Sequence, residues 1–413
     1  MIEITDKTKV EPLLVSSEMG LGHLRALYPF EELFNTKTVV LGQNSVSSSR
    51  SRFLWRKAFK SYNWISRNQR LPVIGRPLFS ILDSLLAIAP LSDKKIASKG
   101  SFQLGLVEYA IKAGLCDELE NYSHKKIVLT SFYAPTIYFS KKRNEVTLLC
   151  QICDTDLSRV WVPRKASSNI IYLATCLRAY YRLLSYGVAK NNIHITGFPF
   201  PNSLVGGINQ NIAKTNFEER LVRLKMAAGK TNTKAPLRIL FAIGGAGAQA
   251  GIALQAAQSL SVQILNGDVE FTLVVPPQFK NHKNLDKFKS NFFNNCDFFR
   301  VVYSNSQTSY FNSFNKAISA TDVLWTKPSE LSFYSALGIP IIISPPLGAQ
   351  ERANREWLLE MGAGVNQMRP TQTHIWINNL LMSGLLYRMA KQGWENGIRT
   401  GSYTTVDLIN SLQ

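Results

Sequence analysis

Leu237-Arg-Ile-Leu-Phe-Ala-Ile-Gly-Gly-Ala-Gly-Ala-Gln-Ala-Gly251 is the stretch that decides the fold. Its first seven residues are apolar apart from Arg238, as a strand buried on both faces requires. A glycine-rich turn follows, and apolar residues then recur at helical spacing to Leu260. Strand, glycine turn and helix together open a βαβ unit. The same layout stands near the start of the chain. There Glu11-Pro-Leu-Leu-Val-Ser-Ser reads as a strand, Glu18-Met-Gly-Leu-Gly-His as a turn, and Leu24–Phe34 as a helix.

Working outward from these two, further strands are expected at Thr38–Leu41, Lys126–Thr130, Val146–Ile152 and Ile193–Thr196. The second half adds Phe271–Val275, Phe299–Tyr303, Asp322–Trp325 and Ile339–Ser344. Helix-length segments separate them, and that alternation predicts parallel sheets covered on both faces. The expected fold is α/β, with two Rossmann-like doubly wound domains in tandem. The N-terminal domain is expected over 1–205 and a polar, turn-rich linker over 206–235, with a basic amphipathic piece at Glu218–Met226. A C-terminal domain over 236–384 and a closing segment over 385–413 complete the chain.

A length of 413 residues suits two such domains. A hydrophobic content of 45% with 18% charged residues excludes a disordered or collagen-like chain. Forty-seven Lys and Arg against 28 Asp and Glu leave a net charge of +19, which favours anionic partners. The N-terminus lacks the layout of a secretory signal, and five cysteines do not suggest a disulfide framework. Cys150 and Cys153 form a CxxC inside an apolar run and read as buried strand thiols. The apolar stretch Leu71–Leu91 is broken by prolines and charges, so it does not read as a spanning helix. A cytoplasmic protein is expected, attached peripherally to the inner face of a membrane.

Glycine turns at strand ends let backbone N–H groups approach an anion, and the following helix adds its positive end. Gly20 and Gly22 supply one such turn, and Gly244, Gly245 and Gly247 the other. His23 follows the first turn and brings an imidazole to a helix start. Asp154 and Asp156 follow the Cys150–Cys153 strand, where a carboxylate suits general-base work. Thr326-Lys-Pro-Ser-Glu330 lies at a strand-to-helix junction. Gln350, Glu351 and Asn354 group after a Pro/Gly loop, with Gln350 and Asn354 expected on one helix face.

These motifs together resemble the GT-B glycosyltransferases, in the branch holding monogalactosyldiacylglycerol synthase, processive diacylglycerol glucosyltransferases and the peptidoglycan lipid-intermediate N-acetylglucosaminyltransferase. The motifs concerned are Gly20-Leu-Gly-His23, Asp154-Thr-Asp-Leu-Ser158 with Trp161-Val-Pro, Ile195-Thr-Gly-Phe-Pro199, Thr326-Lys-Pro and Leu337-Gly-Ile-Pro340 through Asn354. The resemblance implies inverting transfer from a nucleotide sugar, UDP-linked, to a lipid or lipid-linked acceptor, with no cofactor and no metal. It implies an acceptor-binding, membrane-facing N-terminal domain and a closing segment that returns to it. By resemblance Asp156 is the base and His23 meets the acceptor or the developing charge. Gly244, Gly245 and Gly247 face the diphosphate, while Thr326, Lys327, Glu330, Gln350, Glu351 and Asn354 bind the nucleotide sugar. The chain departs from the family where a ribose-binding Glu is usual: Phe333 stands there, and Glu330 lies three residues earlier, nearly one helical turn. A UDP-N-acetylglucosamine 2-epimerase-like enzyme and a degenerate nucleotide- or lipid-binding protein are the alternatives.

No acidic residue occurs between Glu32 and Asp83. Cations and aromatics interleave there, and Arg52, Trp55, Arg56, Lys57, Lys60 and Trp64 are expected to lie on an anionic membrane surface. Nucleic acid is the less favoured partner for this window.

Overall fold

In the computed structural model, the described residues are 11–43, 47–68, 88, 91, 101–142, 145–164, 169–232, 234–245, 247, 249–279 and 282–412. The side chains of 61–68, which include Trp64, and most of the 71–91 stretch fall outside them. The chain divides into two compact units, one of Met1–Asn202 with Ile398–Gln413 and one of Ser203–Gly397.

Unit 1 begins with β1 (Leu13–Ser16), α1 (Leu21–Leu33), β2 (Val39–Val40), α2 (Ser49–Asn68) and α3 (Ser101–Lys112). It continues with β3 (Ile127–Thr130), α4 (Tyr133–Lys142), β4 (Thr147–Gln151), β5 (Ile170–Ala174), α5 (Leu177–Ser185) and β6 (Ile193–Ile195). The strands form one sheet in the order β2-β1-β3-β4-β5-β6, and every pairing is parallel. Residues 170–174, Ile-Ile-Tyr-Leu-Ala, form a central strand that the sequence reading did not assign.

Unit 2 starts with the short α6 (Asn202–Val205), which spans the boundary, and α7 (Asn211–Ala227). Then come β7 (Leu237–Ala242), α8 (Ala250–Ser259), α9 (Ser261–Leu265), β8 (Val269–Val274), α10 (His282–Phe292), β9 (Phe299–Val302), α11 (Gln307–Ser319) and β10 (Val323–Thr326). A 3-10 helix at Glu330–Leu337, β11 (Ile341–Ile343), α12 (Ala349–Glu360), β12 (Gly364–Asn366), α13 (Thr373–Met382) and α14 (Leu385–Asn396) complete it. Its sheet runs β12-β11-β10-β7-β8-β9, again all parallel. Both sheets are thus Rossmann-like and doubly wound, as the alternation predicts.

Two expected boundaries move. Most of the stretch expected as a linker, 206–235, belongs to the body of unit 2, because α7 is locked into it. Arg220, only 1% exposed, donates from Nε to the Thr321 carbonyl at 2.7 Å and from Nη1 to the Leu337 carbonyl at 2.9 Å. Burial pushes its guanidinium down to about 10. Arg223 pairs with the buried Asp322 at 2.7 Å, and Phe217 stacks on Trp394 with centroids 4.4 Å apart. The sequence shows basic residues at helical spacing there, but not that one of them is needed inside. The returning segment is also shorter than 385–413. Leu386, Met389 and Ala390 of α14 sit in the unit 2 core, and the chain re-enters unit 1 at Ile398. There α15 (Gly401–Ser411) buries Ile409 among Leu14, Phe30, Leu129 and Leu149. The Thr196-Gly-Phe-Pro turn receives it: a Cβ on Gly197 would lie 2.7 Å from the Ile398 side chain. Ser402 also donates to the Phe200 carbonyl at 2.6 Å.

Candidate functional site

Each sheet reverses its direction of winding once, and loops diverge at that point to leave room for a ligand beyond the strand C-termini. In unit 2 the reversal falls between β7 and β10. β7 runs into Ile243-Gly244-Gly245 and β10 into Lys327-Pro328. The lysine stem lies across the glycine turn, so a Cβ on Gly244 would come within 3.1 Å of Lys327 Cε and 3.1 Å of Gln249 Oε1. Gly247 has φ +72, a left-handed conformation in which an L side chain is strained, and a Cβ there would also press on the Phe279 ring at 3.1 Å.

Lys327 is held in place from behind. Its Nζ pairs with Glu351 Oε1 at 2.5 Å, and Glu351 Oε2 accepts the Leu347 N–H at 2.8 Å. Both carboxylate oxygens of Glu351 are thereby engaged within the loop, and its place is beside the lysine. Asn354 is wholly buried and donates from Nδ2 to the Pro328 carbonyl at 3.2 Å, so it clamps the Lys327-Pro328 turn from below. Thr326 is buried in β10, where its carbonyl accepts the Ser344 N–H at 2.8 Å. Glu330 opens the 3-10 helix and is also mostly buried. The expected face shared by Gln350 and Asn354 divides: Gln350 is half-buried in the first turn of α12, while Asn354 faces the interior. Phe333 is 3% exposed with its ring 5.3 Å from Trp357 of α12, which makes it a packing residue between two helices.

In unit 1 the reversal falls between β1 and β3, and His23 and Ser131 meet there. His23 Nδ1 donates to the Ser131 carbonyl at 2.8 Å, which makes Nε2 the basic ring nitrogen. Ser131 Oγ in turn donates to the His23 carbonyl at 2.7 Å and lies 2.8 Å from Ser16 Oγ of β1. The imidazole packs edge-on to Phe132 at 5.0 Å and lies 6.0 Å from Trp161, giving it an aromatic wall. Gly20 precedes the helix with φ +114, open only to glycine at low cost, and Gly22 forms part of its first turn.

Asp156 is placed differently from the expected base. It is 5% exposed, and Arg182 of α5, 2% exposed, grips it with Nε on Oδ1 at 2.6 Å and Nη2 on Oδ2 at 2.9 Å. The Leu157 N–H adds a third bond to Oδ1 at 2.8 Å. Burial alone would lower the guanidinium, but hydrogen bonding and charge from Asp156 hold it above its ordinary value. Both carboxylate oxygens are thereby committed to a buried cation and a backbone N–H of the same unit. Asp154, half-buried just before it, has its carbonyl bonded by the Thr175 hydroxyl at 2.7 Å.

Among the expected membrane residues, Arg52, Arg56, Lys57 and Lys60 are exposed on α2. Trp55 is not. It is 2% exposed, its indole N–H donates to the Leu115 carbonyl at 2.8 Å, and its ring closes on Gly42. Aromatic content marked the window as interfacial, but this tryptophan faces the core. Among the described residues no helix is long and apolar enough to cross a membrane.

Residues 270–410 match the family described as "Domain of unknown function (DUF6938)", about a third of the chain. No curated protein matches. Among solved structures, the chain is similar to UDP-GlcNAc 2-epimerase from Neisseria meningitidis bound to UDP-GlcNAc, with 11% identity, 97% of this chain and 99% of that one covered, and a TM-score of 0.49. It is similar to Acinetobacter baumannii MurG at 14% identity, covering 97% and 100%, with a TM-score of 0.48. The glycosyltransferase SnogD from Streptomyces nogalater matches at 10% identity, covering 98% and 100%, with a TM-score of 0.45.

Three residues that order these surroundings escaped the sequence reading. Ser131 orients His23, and its position directly after a strand that neighbours β1 is the signal that would have found it. Arg182 looks like one more exposed cation on an amphipathic helix. Glu118 sits in a 3-10 helix, accepts bonds from the Gly42 N–H at 2.7 Å and Ser47 Oγ at 2.9 Å, and also binds Ser51 Oγ.

Proposed function

We propose that the protein is an inverting glycosyltransferase. It moves a sugar from a nucleotide donor, UDP-linked, to a hydroxyl of a lipid or lipid-linked acceptor at the cytoplasmic surface of a membrane. Lys327 lying across the Gly244 turn is the observation that carries it: an ammonium, a glycine turn with open space at Gly245 and the start of α8 come together at one switch point. Such a cradle suits a diphosphate. The chemistry needs two contributions. As the acceptor oxygen attacks the anomeric carbon, the bond to the diphosphate oxygen breaks and charge accumulates on the leaving group. Lys327 and the positive end of α8 stabilise that charge. The acceptor hydroxyl gives up its proton to His23 Nε2, whose partner nitrogen is already fixed on the Ser131 carbonyl. Products are the glycosylated acceptor, the nucleoside diphosphate and one proton.

Calorimetry with UDP, together with UDP release from a panel of UDP-sugars in the presence of lipid extract, tests this. Wild-type protein is expected to bind UDP, and Lys327→Met to bind it at least about tenfold more weakly, since a charge-assisted hydrogen bond contributes about 1.5–3 kcal/mol. Absence of UDP binding by the wild type, or equal binding by Lys327→Met, would sink the proposal.

A further inference from the structure

Past the end of β2, a hollow of about 240 Å³ is lined by Gly42, Gln43, Arg52, Arg56, Phe59 and Lys60. We infer that this hollow is a binding site for a phosphate group carried by the acceptor substrate. Its assignment to the acceptor rests on the transferase function proposed above. The binding chemistry itself, a phosphomonoester or phosphodiester met by three cations, does not.

Four observations converge on it. Arg52, Arg56 and Lys60 are spaced by four along α2, so one helix face presents all three charges to one place. Among the described residues no carboxylate pairs with any of them, whereas Ser51 and Trp55 on the opposite face are buried. Arg52 is anchored by its own bond from Nη1 to the Ser47 carbonyl at 2.7 Å, which still leaves guanidinium donors over. The rim is also built, not merely loose surface. A single buried carboxylate, Glu118, holds the Gly42 N–H, Ser47 Oγ and Ser51 Oγ together, so the loop and the helix start are tied to one anchor. Gly42 has φ +77, and any side chain there would collide with Trp55. The helix therefore lies close against the strand end, and the cations share the hollow with Gly42 and Gln43.

Size limits the occupant. A hollow of about 240 Å³ falls below the roughly 300 Å³ at which whole-ligand pockets begin, so it suits one head group with the rest of the molecule outside. Phe59, half-buried in the lining, and Phe53, 54% exposed next to Arg52 on α2, add apolar surface to the same helix. This combination favours a phosphate with an aliphatic tail.

The test uses the full chain, with inorganic phosphate and glycerol 3-phosphate in calorimetry. Sedimentation with vesicles of phosphatidylcholine alone, or containing phosphatidic acid or phosphatidylserine at matched charge, accompanies it. Arg56→Ala/Lys60→Ala is expected to weaken glycerol 3-phosphate and phosphatidic acid binding about 30-fold, equivalent to about 2 kcal/mol. Lys57→Ala, an equally exposed cation outside the hollow, is expected to change it less than twofold. Glycerol 3-phosphate binding without vesicle retention would assign the site to a soluble phosphate. Equal losses in both variants, equal retention on phosphatidylserine and phosphatidic acid, or single-stranded oligonucleotide binding in place of phosphate binding would overturn the inference. UDP binding measured on the same variants stays at the wild-type value. A protein that binds UDP but not phosphate refutes only this site, and one that binds phosphate but not UDP refutes only the transferase.

Discussion

Replacing Asp156 by asparagine separates a structural carboxylate from a catalytic one. In the native chain its two oxygens take two N–H groups of Arg182 at 2.6 and 2.9 Å, and both residues are almost fully withdrawn from water. Asparagine keeps the shape but loses the charge, and its amide nitrogen faces a guanidinium. Removing one member of a buried ion pair leaves the other uncompensated, at a cost of about 3–5 kcal/mol. For a folding unit of roughly 200 residues, each kcal/mol lowers the melting midpoint by about 2–4 °C, so a loss of about 6–20 °C is expected. Scanning calorimetry should show this in the transition of unit 1. Turnover measured well below that midpoint should fall less than about tenfold. Asp156→Leu/Arg182→Met should recover most of the lost stability, since apolar replacement of a whole buried pair is often neutral or better. An unmoved midpoint with turnover reduced a hundredfold or more would refute the reasoning and restore Asp156 as the base.

His23→Gln should show the converse: a midpoint within about 2 °C of wild type, unchanged UDP affinity, and turnover lower by about 10²–10⁴-fold, the range of a general base; turnover near wild type would remove His23 from the chemistry. The thiols supply an independent check on the CxxC. Burial pushes Cys150 up to about 12 and also raises Cys176, while Cys116 and Cys153 are buried as well. Titration of native protein with dithiobis(nitrobenzoate) should therefore show one fast thiol, half-buried Cys296, and four that react only on unfolding; a second fast thiol lost in Cys150→Ser would contradict the strand assignment.

Most strands of both sheets were legible because parallel strands covered on both faces are nearly continuous apolar runs, as in Leu237–Ala242 and Ile341–Ile343, whereas Ile170–Ala174 and the short Gly364–Asn366 were not assigned. The glycine turns followed from the same pattern. What stayed hidden depends on partners distant in sequence. Arg220, Arg182 and Glu118 each carry a charge that composition assigns to solvent, yet each is buried because carbonyls, a carboxylate or hydroxyls more than 20 residues away satisfy it. Trp55 shows the reverse error in the basic window: its helix has a wet face and a dry one, and residue type alone does not say which face a given aromatic takes. Phe333 was legible as a departure from the family pattern, but its contact with Trp357 was not.

The two switch points share a device: a polar side chain at each is held by a neighbour. A flexible lysine or a rotatable imidazole contributes little to a transition state if it must be ordered during the reaction, because the ordering costs entropy each time. Here a neighbour has already ordered each group: Glu351 for the Lys327 ammonium and the Ser131 carbonyl for the His23 ring. In turn Glu351 is fixed by the Leu347 N–H, and Ser131 by its contact with Ser16. The carboxylate beside Lys327 also bears on affinity, since an incoming diphosphate must compete with Glu351 for the ammonium. In the proposed transferase, donor binding would then be weaker than an unpaired lysine would give, while the geometry at the leaving group would be better defined. Under that proposal the balance would favour turnover over tight product retention, since binding the diphosphate too well before the bond breaks would not accelerate its departure.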